Sequence, residues 1–192
     1  MIEITFHARG GQGAVTASQI LATAAFLEKK YSHAFPYFRG ERKGAPVLAY
    51  ARISNEPMDE RGPIINPDIA VILDAALLKT VNPLITLKPE GLAIINTAKS
   101  PEEIMKTSEN KNIQVSTIDA TALSEEIYGK SAIPKVNVLM LGCLAALVPM
   151  VKVESILSAI DEYFSGENGA KAKESVKLAY DHITGNTRIQ TP

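Results

Sequence analysis

Ile2-Glu3-Ile4-Thr5-Phe6-His7-Ala8-Arg9-Gly10-Gly11-Gln12-Gly13-Ala14-Val15-Thr16 is the stretch whose pattern decides the fold. Ile2, Ile4 and Phe6 alternate with Glu3, Thr5 and His7, the two-residue period of a strand, until Gly10, Gly11 and Gly13 stop it. From Val15 to Leu27 the apolar Ile20, Leu21, Ala24 and Leu27 recur at helical spacing, with Thr16, Ser18, Gln19 and Thr23 among the polar positions. The opening is therefore strand, glycine turn, helix.

The same alternation continues outward. Ser32 to Phe38 and Val47 to Ile53 are rich in aromatic and β-branched residues, and Gly40-Glu41-Arg42-Lys43-Gly44 between them punctuates like a turn, so a hairpin with a basic tip is expected. Pro67-Asp68 leads into the continuous apolar run Ile69 to Leu73, and Asp74 begins a helical Ala75 to Thr80. Gly91 to Asn96 precedes the helix start Ser100-Pro101-Glu102-Glu103, and Ile113 to Ile118 precedes a helix over Asp119 to Tyr128. Pro134 to Val148 is apolar nearly all round, interrupted only by Lys135, Asn137 and Gly142, as in a helix buried on every side. After Pro149, Ile156, Leu157, Ile160, Tyr163 and Phe164 form one amphipathic face; Gly166-Glu167-Asn168-Gly169 is read as its break, and Ala170 to Ile183 as a final helix.

The chain has 192 residues, 46% hydrophobic and 21% charged, enough for one domain with a sizeable core. Residues 1–192 are read as a single domain whose part from about 151 onward is helical. Twenty basic and twenty-one acidic side chains give a net charge of −1 and no global field for a polyanion, so no nucleic-acid partner is expected. No apolar run reaches the roughly 18 to 20 residues that span a bilayer, and the expectation is a soluble, cytoplasmic protein without a membrane partner. The single Cys143 makes no internal disulfide, cysteine-rich zinc site or iron–sulfur cluster by itself.

Arg9 to Thr16 carries most of the chemical information. Glycines between a strand and a helix permit positive φ and close approach of a ligand, while the helix N-terminus offers unpaired amides and partial positive charge. A phosphate or pyrophosphate suits such a loop; a tight packing turn is the alternative. It lacks the Gly-Lys-Ser/Thr ending of a P-loop, and Thr16 stands where the dinucleotide fingerprint has its third glycine. No carboxylate lies between Glu28 and Glu41 to grip a ribose, which argues against NAD or FAD. Arg39, Arg42 and Lys43 crowd the hairpin tip, suited to phosphate or carboxylate groups or simply to a solvated turn. Asp74, Asn96 and Asp119 stand at the carboxyl ends of strands and are read first as helix caps. His7, His33 and His182 have no partner at ligand spacing and are taken as ordinary half-exposed residues, so no metal site is expected. Cys143 is taken as a core thiol.

His7-Ala8-Arg9-Gly10-Gly11-Gln12-Gly13, then Phe35-Pro36-Tyr37 leading to Arg39-Gly40-Glu41-Arg42-Lys43-Gly44-Ala45-Pro46-Val47, then Pro67-Asp68 before an apolar strand, resembles the gamma subunit of the 2-oxoacid:ferredoxin oxidoreductases of the pyruvate and ketoisovalerate type. The likeness covers nearly the whole chain. Alongside the α/β fold that the strand–helix alternation argues for, a single Rossmann-like domain with a mostly parallel sheet, one β-hairpin insertion and C-terminal helices, it implies a subunit of that family. It also implies a non-autonomous component, with no catalytic residue of its own, in an assembly that oxidatively decarboxylates pyruvate with coenzyme A and reduces ferredoxin. Thiamine diphosphate with magnesium and the [4Fe–4S] clusters belong on the alpha, beta and delta partners, and none is expected on this chain. Coenzyme A has phosphates to be held, and Gly10, Gly11, Gln12 and Gly13 with Arg39, Arg42 and Lys43 are the candidate contacts. The competing readings are a purely structural assembly subunit, the same role in a complex for another 2-oxoacid, and a mononucleotide- or flavin-binding module acting alone.

Overall fold

The protein is described from a computed structural model, which covers residues 1–37 and 45–187. Six strands, β1 (Ile2–Arg9), β2 (Tyr31–Tyr37), β3 (Pro46–Ser54), β4 (Ile69–Ile72), β5 (Leu92–Asn96) and β6 (Gln114–Ile118), form one sheet in the order β2-β3-β1-β4-β5-β6. β1, β4, β5 and β6 run parallel, with Phe6 opposite Val71, Val71 opposite Ile94 and Ile94 opposite Ser116. The hairpin is present, and it extends the sheet, because β3 pairs antiparallel with β1 along its whole length as well as with β2.

The helices are α1 (Ala14–Leu27), α2 (Leu77–Thr80), α3 (Pro101–Thr107), α4 (Ala120–Tyr128), α5 (Asn137–Leu147), α6 (Val153–Ile160) and α7 (Gly166–Thr187). Ile4, Phe6, Ala8, Val71 and Ile94 pack with α1, α5, α6 and α7 on one face of the sheet. Ala70, Ile72, Ala93 and Ile95 form a smaller core on the other, with Leu84, Leu87 and Ile104. Covering both faces explains the continuous apolar runs of β4 and β5. α5 is enclosed as its sequence demands, with Val138 to Leu144 buried. Gly142 lets it pass close to α7, since a Cβ there would strike the carbonyl oxygen of Val176.

Three expectations need correcting. Gly166-Glu167-Asn168-Gly169 is the first turn of α7, not a break; the interruption falls just before it, where Gly166 takes φ +57° and Gly169 leaves no room for a Cβ beside the carbonyl oxygen of Phe164. The segment after Asp74 gives only the four-residue α2, followed by a 3-10 turn over Pro83–Thr86, because Asn82 adopts positive φ and proline follows it. His7 is buried rather than half-exposed, being 7% accessible, because the second face of β1 is also covered.

Candidate functional site

β1 ends at Arg9, and four residues turn the chain into α1. Gln12 fastens this turn twice: its side-chain Oε1 accepts from the Arg9 amide at 2.7 Å, and its own amide donates to the Arg9 carbonyl at 3.1 Å. Gly11 and Gly13 have φ of +94° and +80°, conformations that L side chains rarely adopt. The first bond of α1 runs from the Ala17 amide to the Gly13 carbonyl, and among the described residues no side chain caps the helix. The amides of Ala14, Val15 and Thr16 therefore have no acceptor within the helix.

The start of the helix borders a cleft of about 290 Å³, lined by Gly11, Gln12, Gly13 and Thr16 on one side. α5 and its approach supply Lys135 and Asn137, while Phe164 and Asn168 come from the approach to α7 and its first turn. The Asn137 side-chain amide donates to the Gly13 carbonyl at 3.5 Å, and a Cβ on Gly13 would lie 2.6 Å from Asn137 Nδ2. Gly13 is thus required twice, by its backbone conformation and by its neighbour. Lys135 is exposed, with Nζ 4.6 Å from the centre of the Tyr128 ring, so a cation stands over an aromatic wall of the cleft. Open helix amides, a lysine and apolar walls suit a ligand with an anionic end and an apolar remainder.

Gly10, Gly11, Gln12 and Gly13 therefore lie together at the carboxyl edge of the sheet. Arg39, Arg42 and Lys43 lie outside the described residues. What the structure does show is the return of the hairpin beside the loop: the Gly10 amide donates to the Ala45 carbonyl at 3.2 Å. Lys135, Asn137 and Asn168 were missed as site residues. The signal was available for the first two, as the polar interruptions at the start of an otherwise apolar helix; Asn168 was hidden by reading its segment as a break.

Asp74 accepts from the Ala76 amide at 2.9 Å and also forms an ion pair with Arg9 at 2.8 Å, joining the carboxyl ends of β1 and β4. Asp119 is a true N-cap, accepting from the Ala122 amide at 2.9 Å. Asn96 is not a cap: Ser100 closes a capping box with Glu103 on α3, and Asn96 instead donates to the Leu73 carbonyl at 3.0 Å and accepts from the Thr121 amide at 3.2 Å, clasping β4 to the start of α4. Burial pushes the Cys143 thiol up to about 12, which leaves it protonated and unreactive. Among the described residues there is no group of three or more histidine, cysteine or acidic side chains placed to hold a metal ion, and no helix long and apolar enough to cross a membrane.

Comparison with known proteins gives a consistent answer. The family described as "Pyruvate ferredoxin/flavodoxin oxidoreductase" matches residues 3–182. A Pyrococcus furiosus protein named "Pyruvate/ketoisovalerate oxidoreductases common subunit gamma" is 48% identical over 181 residues, covering 94% of this chain and 96% of that one. "Pyruvate synthase subunit PorC" of Methanothermobacter marburgensis is 45% identical over 183 residues, covering 95% and 98%. The crystal structure of pyruvate oxidoreductase subunit PORC from Thermotoga maritima superposes with a TM-score of 0.80 at 34% identity, covering 94% of this chain and 95% of that one. Sharing sequence and architecture with these subunits along nearly all of their lengths, the chain belongs to the pyruvate ferredoxin/flavodoxin oxidoreductase family, among its gamma subunits.

Proposed function

We propose that this chain is the gamma subunit of a pyruvate:ferredoxin oxidoreductase, where it docks coenzyme A while partner subunits carry out the oxidative decarboxylation. The complete reaction turns pyruvate and coenzyme A into acetyl-CoA and carbon dioxide and passes the electrons to ferredoxin. Thiamine diphosphate, magnesium and [4Fe–4S] clusters are supplied by alpha, beta and delta subunits, and the chain has no activity alone. The observation that carries the docking role is the uncapped N-terminus of α1 opening onto the cleft beside Lys135. Phosphate oxygens accept from the free amides, and Lys135 with the hairpin cations Arg39, Arg42 and Lys43 balances their charge. The apolar walls accommodate the rest of the ligand.

The name of the Pyrococcus furiosus relative, a subunit common to pyruvate and ketoisovalerate oxidoreductases, favours one further reading. The same gamma chain serves a second complex of different 2-oxoacid specificity, because the oxoacid pocket lies on other subunits.

Reconstitution with the alpha, beta and delta subunits tests the docking role. Lys135→Ala, and separately Arg42→Ala with Lys43→Ala, raise the KM for coenzyme A about tenfold, the loss of about 1.4 kcal/mol of charge-assisted binding. The KM for pyruvate stays within twofold. An unchanged KM for coenzyme A with unchanged salt dependence in both variants removes these cations from the role.

A further inference from the structure

Lys135 reaches the cleft from the segment that leads into α5, and two side chains of α4 hold it at both ends. Its backbone amide donates to Ser124 Oγ at 3.0 Å, and its ammonium stands 4.6 Å from the centre of the Tyr128 ring. Ser124 and Tyr128 are one helical turn apart and therefore share a face of α4. Ser124 is buried, so the backbone end of the lysine is fixed from inside the protein.

The ring end is fixed from α7. Ser175 Oγ lies 3.1 Å from Tyr128 Oη and 2.8 Å from the Lys171 carbonyl oxygen. A hydroxyl has one proton and a carbonyl can only accept, so Ser175 donates to Lys171 and accepts from Tyr128, whose hydroxyl is the donor. Tyr128 is the last residue of α4, followed by Gly129 at φ +75°, a position where helices fray. Without this anchor the ring would turn about χ1, and the platform under the Lys135 ammonium would turn with it. Ser175 itself is fully buried, and among the described residues it does not line the cleft. Whatever it does for a ligand passes through Tyr128.

We propose that Ser175 is a positioning residue for the coenzyme A site, fixing the Tyr128 ring so that the Lys135 ammonium is held at the cleft. This rests on the docking role proposed above for Lys135. The gain is preorganisation, because a lysine already held in place loses less side-chain freedom when an anion binds.

Kinetics of the reconstituted complex carrying Ser175→Ala, alone and combined with Lys135→Ala, test this. Alone, Ser175→Ala raises the KM for coenzyme A about threefold, the share of one cation–π contact. In the Lys135→Ala chain it adds less than about 1.5-fold, because the group it positions is gone. Tyr128→Phe keeps the ring, removes only the hydroxyl and reproduces Ser175→Ala, and the two together do no more than either alone. Ser108→Ala, which removes a buried hydroxyl at the end of α3, leaves this KM at the parent value and so separates positioning from general loosening. A KM that Lys135→Ala raises but Ser175→Ala and Tyr128→Phe leave unmoved overturns the positioning role and spares the docking role. An equal effect of Ser175→Ala with and without Lys135 also overturns it. A KM that Lys135→Ala leaves unchanged removes the docking role of Lys135, and the positioning role falls with it.

Discussion

At the amino ends of the parallel strands, Glu3, Asp68, Lys88 and Arg52 close on one another, whereas at the carboxyl ends Gly11, Gln12, Gly13 and Thr16 border a cleft at the uncapped start of α1. Glu3 bridges Arg52 at 3.0 Å and Lys88 at 3.3 Å. Lys88 also meets Asp68 at 2.9 Å, and Asp68 accepts from the Glu3 amide at 2.7 Å. The hydrogen bond that Lys88 donates to Asp68, with the charges of Asp68 and Glu3, holds the Lys88 ammonium above its ordinary pKa despite partial burial. Arg52 adds a bond to the Glu60 carbonyl at 3.3 Å and lies 5.7 Å from the centre of the Phe35 ring. The difference bears on where a ligand would belong: one end satisfies its polar groups internally and serves stability, while the other, among the described residues, has helix amides with no acceptor in the helix.

The amino-end network is the place for the largest stability effect. Arg52 is 3% exposed, so Arg52→Ala strands the inward Glu3 oxygen and removes the guanidinium from Phe35. A loss of about 4 kcal/mol is expected from urea unfolding, in line with breaking a buried pair from one side. Adding Glu3→Gln recovers part of it by removing the charge that faced Arg52, while Lys88 keeps its pair with Asp68. In a reconstituted complex the KM for coenzyme A is unmoved wherever the variant is folded. A raised KM at this end would erase the distinction between the two ends.

His7 provides the next largest effect, and a pH-dependent one. It lies between Leu48 and Ile72 in neighbouring strands, with Nε2 3.0 Å from Thr5 Oγ1, and burial pushes it down to about 4. The unfolded chain protonates this imidazole near pH 6.5 and the folded chain resists until about 4, so the unfolded state binds more protons between the two. Stability from this group is full above about pH 6.5 and declines as pH falls, by up to about 3 kcal/mol. Unfolding free energies at pH 7 and pH 4.5 check the sign: His7→Gln flattens the decline by at least half. Equal declines in both proteins would show that the imidazole is not the sensor.

How much of this was legible depended on whether the signal was local. The strand-turn-helix at Arg9 to Thr16, the helix start at Ser100 to Glu103 and the apolar α5 are written in neighbouring residues, and the structure has them. Arg52 with Glu3, and Asn137 against Gly13, bring together residues 49 and 124 apart, and no period or spacing announces such pairs. His7 was misread because alternation along β1 suggests one covered face, while the crossovers cover the second as well. The glycines at 166 and 169 were misread because the same residue type that ends helices also permits a left-handed entry and close packing beneath the first turn.

Gly13 yields the smallest loss of stability and the sharpest functional contrast. Gly13→Ala must hold an L side chain at φ +80° and place its Cβ against Asn137. The left-handed backbone costs about 1 kcal/mol and the crowding about 1 more, together half of the Arg52 effect. Asn137 is a side chain rather than backbone, so it relieves the clash by turning, and Asn137→Ala in the same chain restores the crowding share alone. The remaining strain widens the turn and shifts the amides of Ala14 to Thr16, so the KM for coenzyme A rises in both the single and the double variant. Thermal unfolding and coenzyme A kinetics on the reconstituted complex separate the two consequences. If the double variant regained its stability and its KM together, the glycine loop would be only a packing turn, and the carboxyl end would be as self-contained as the amino end.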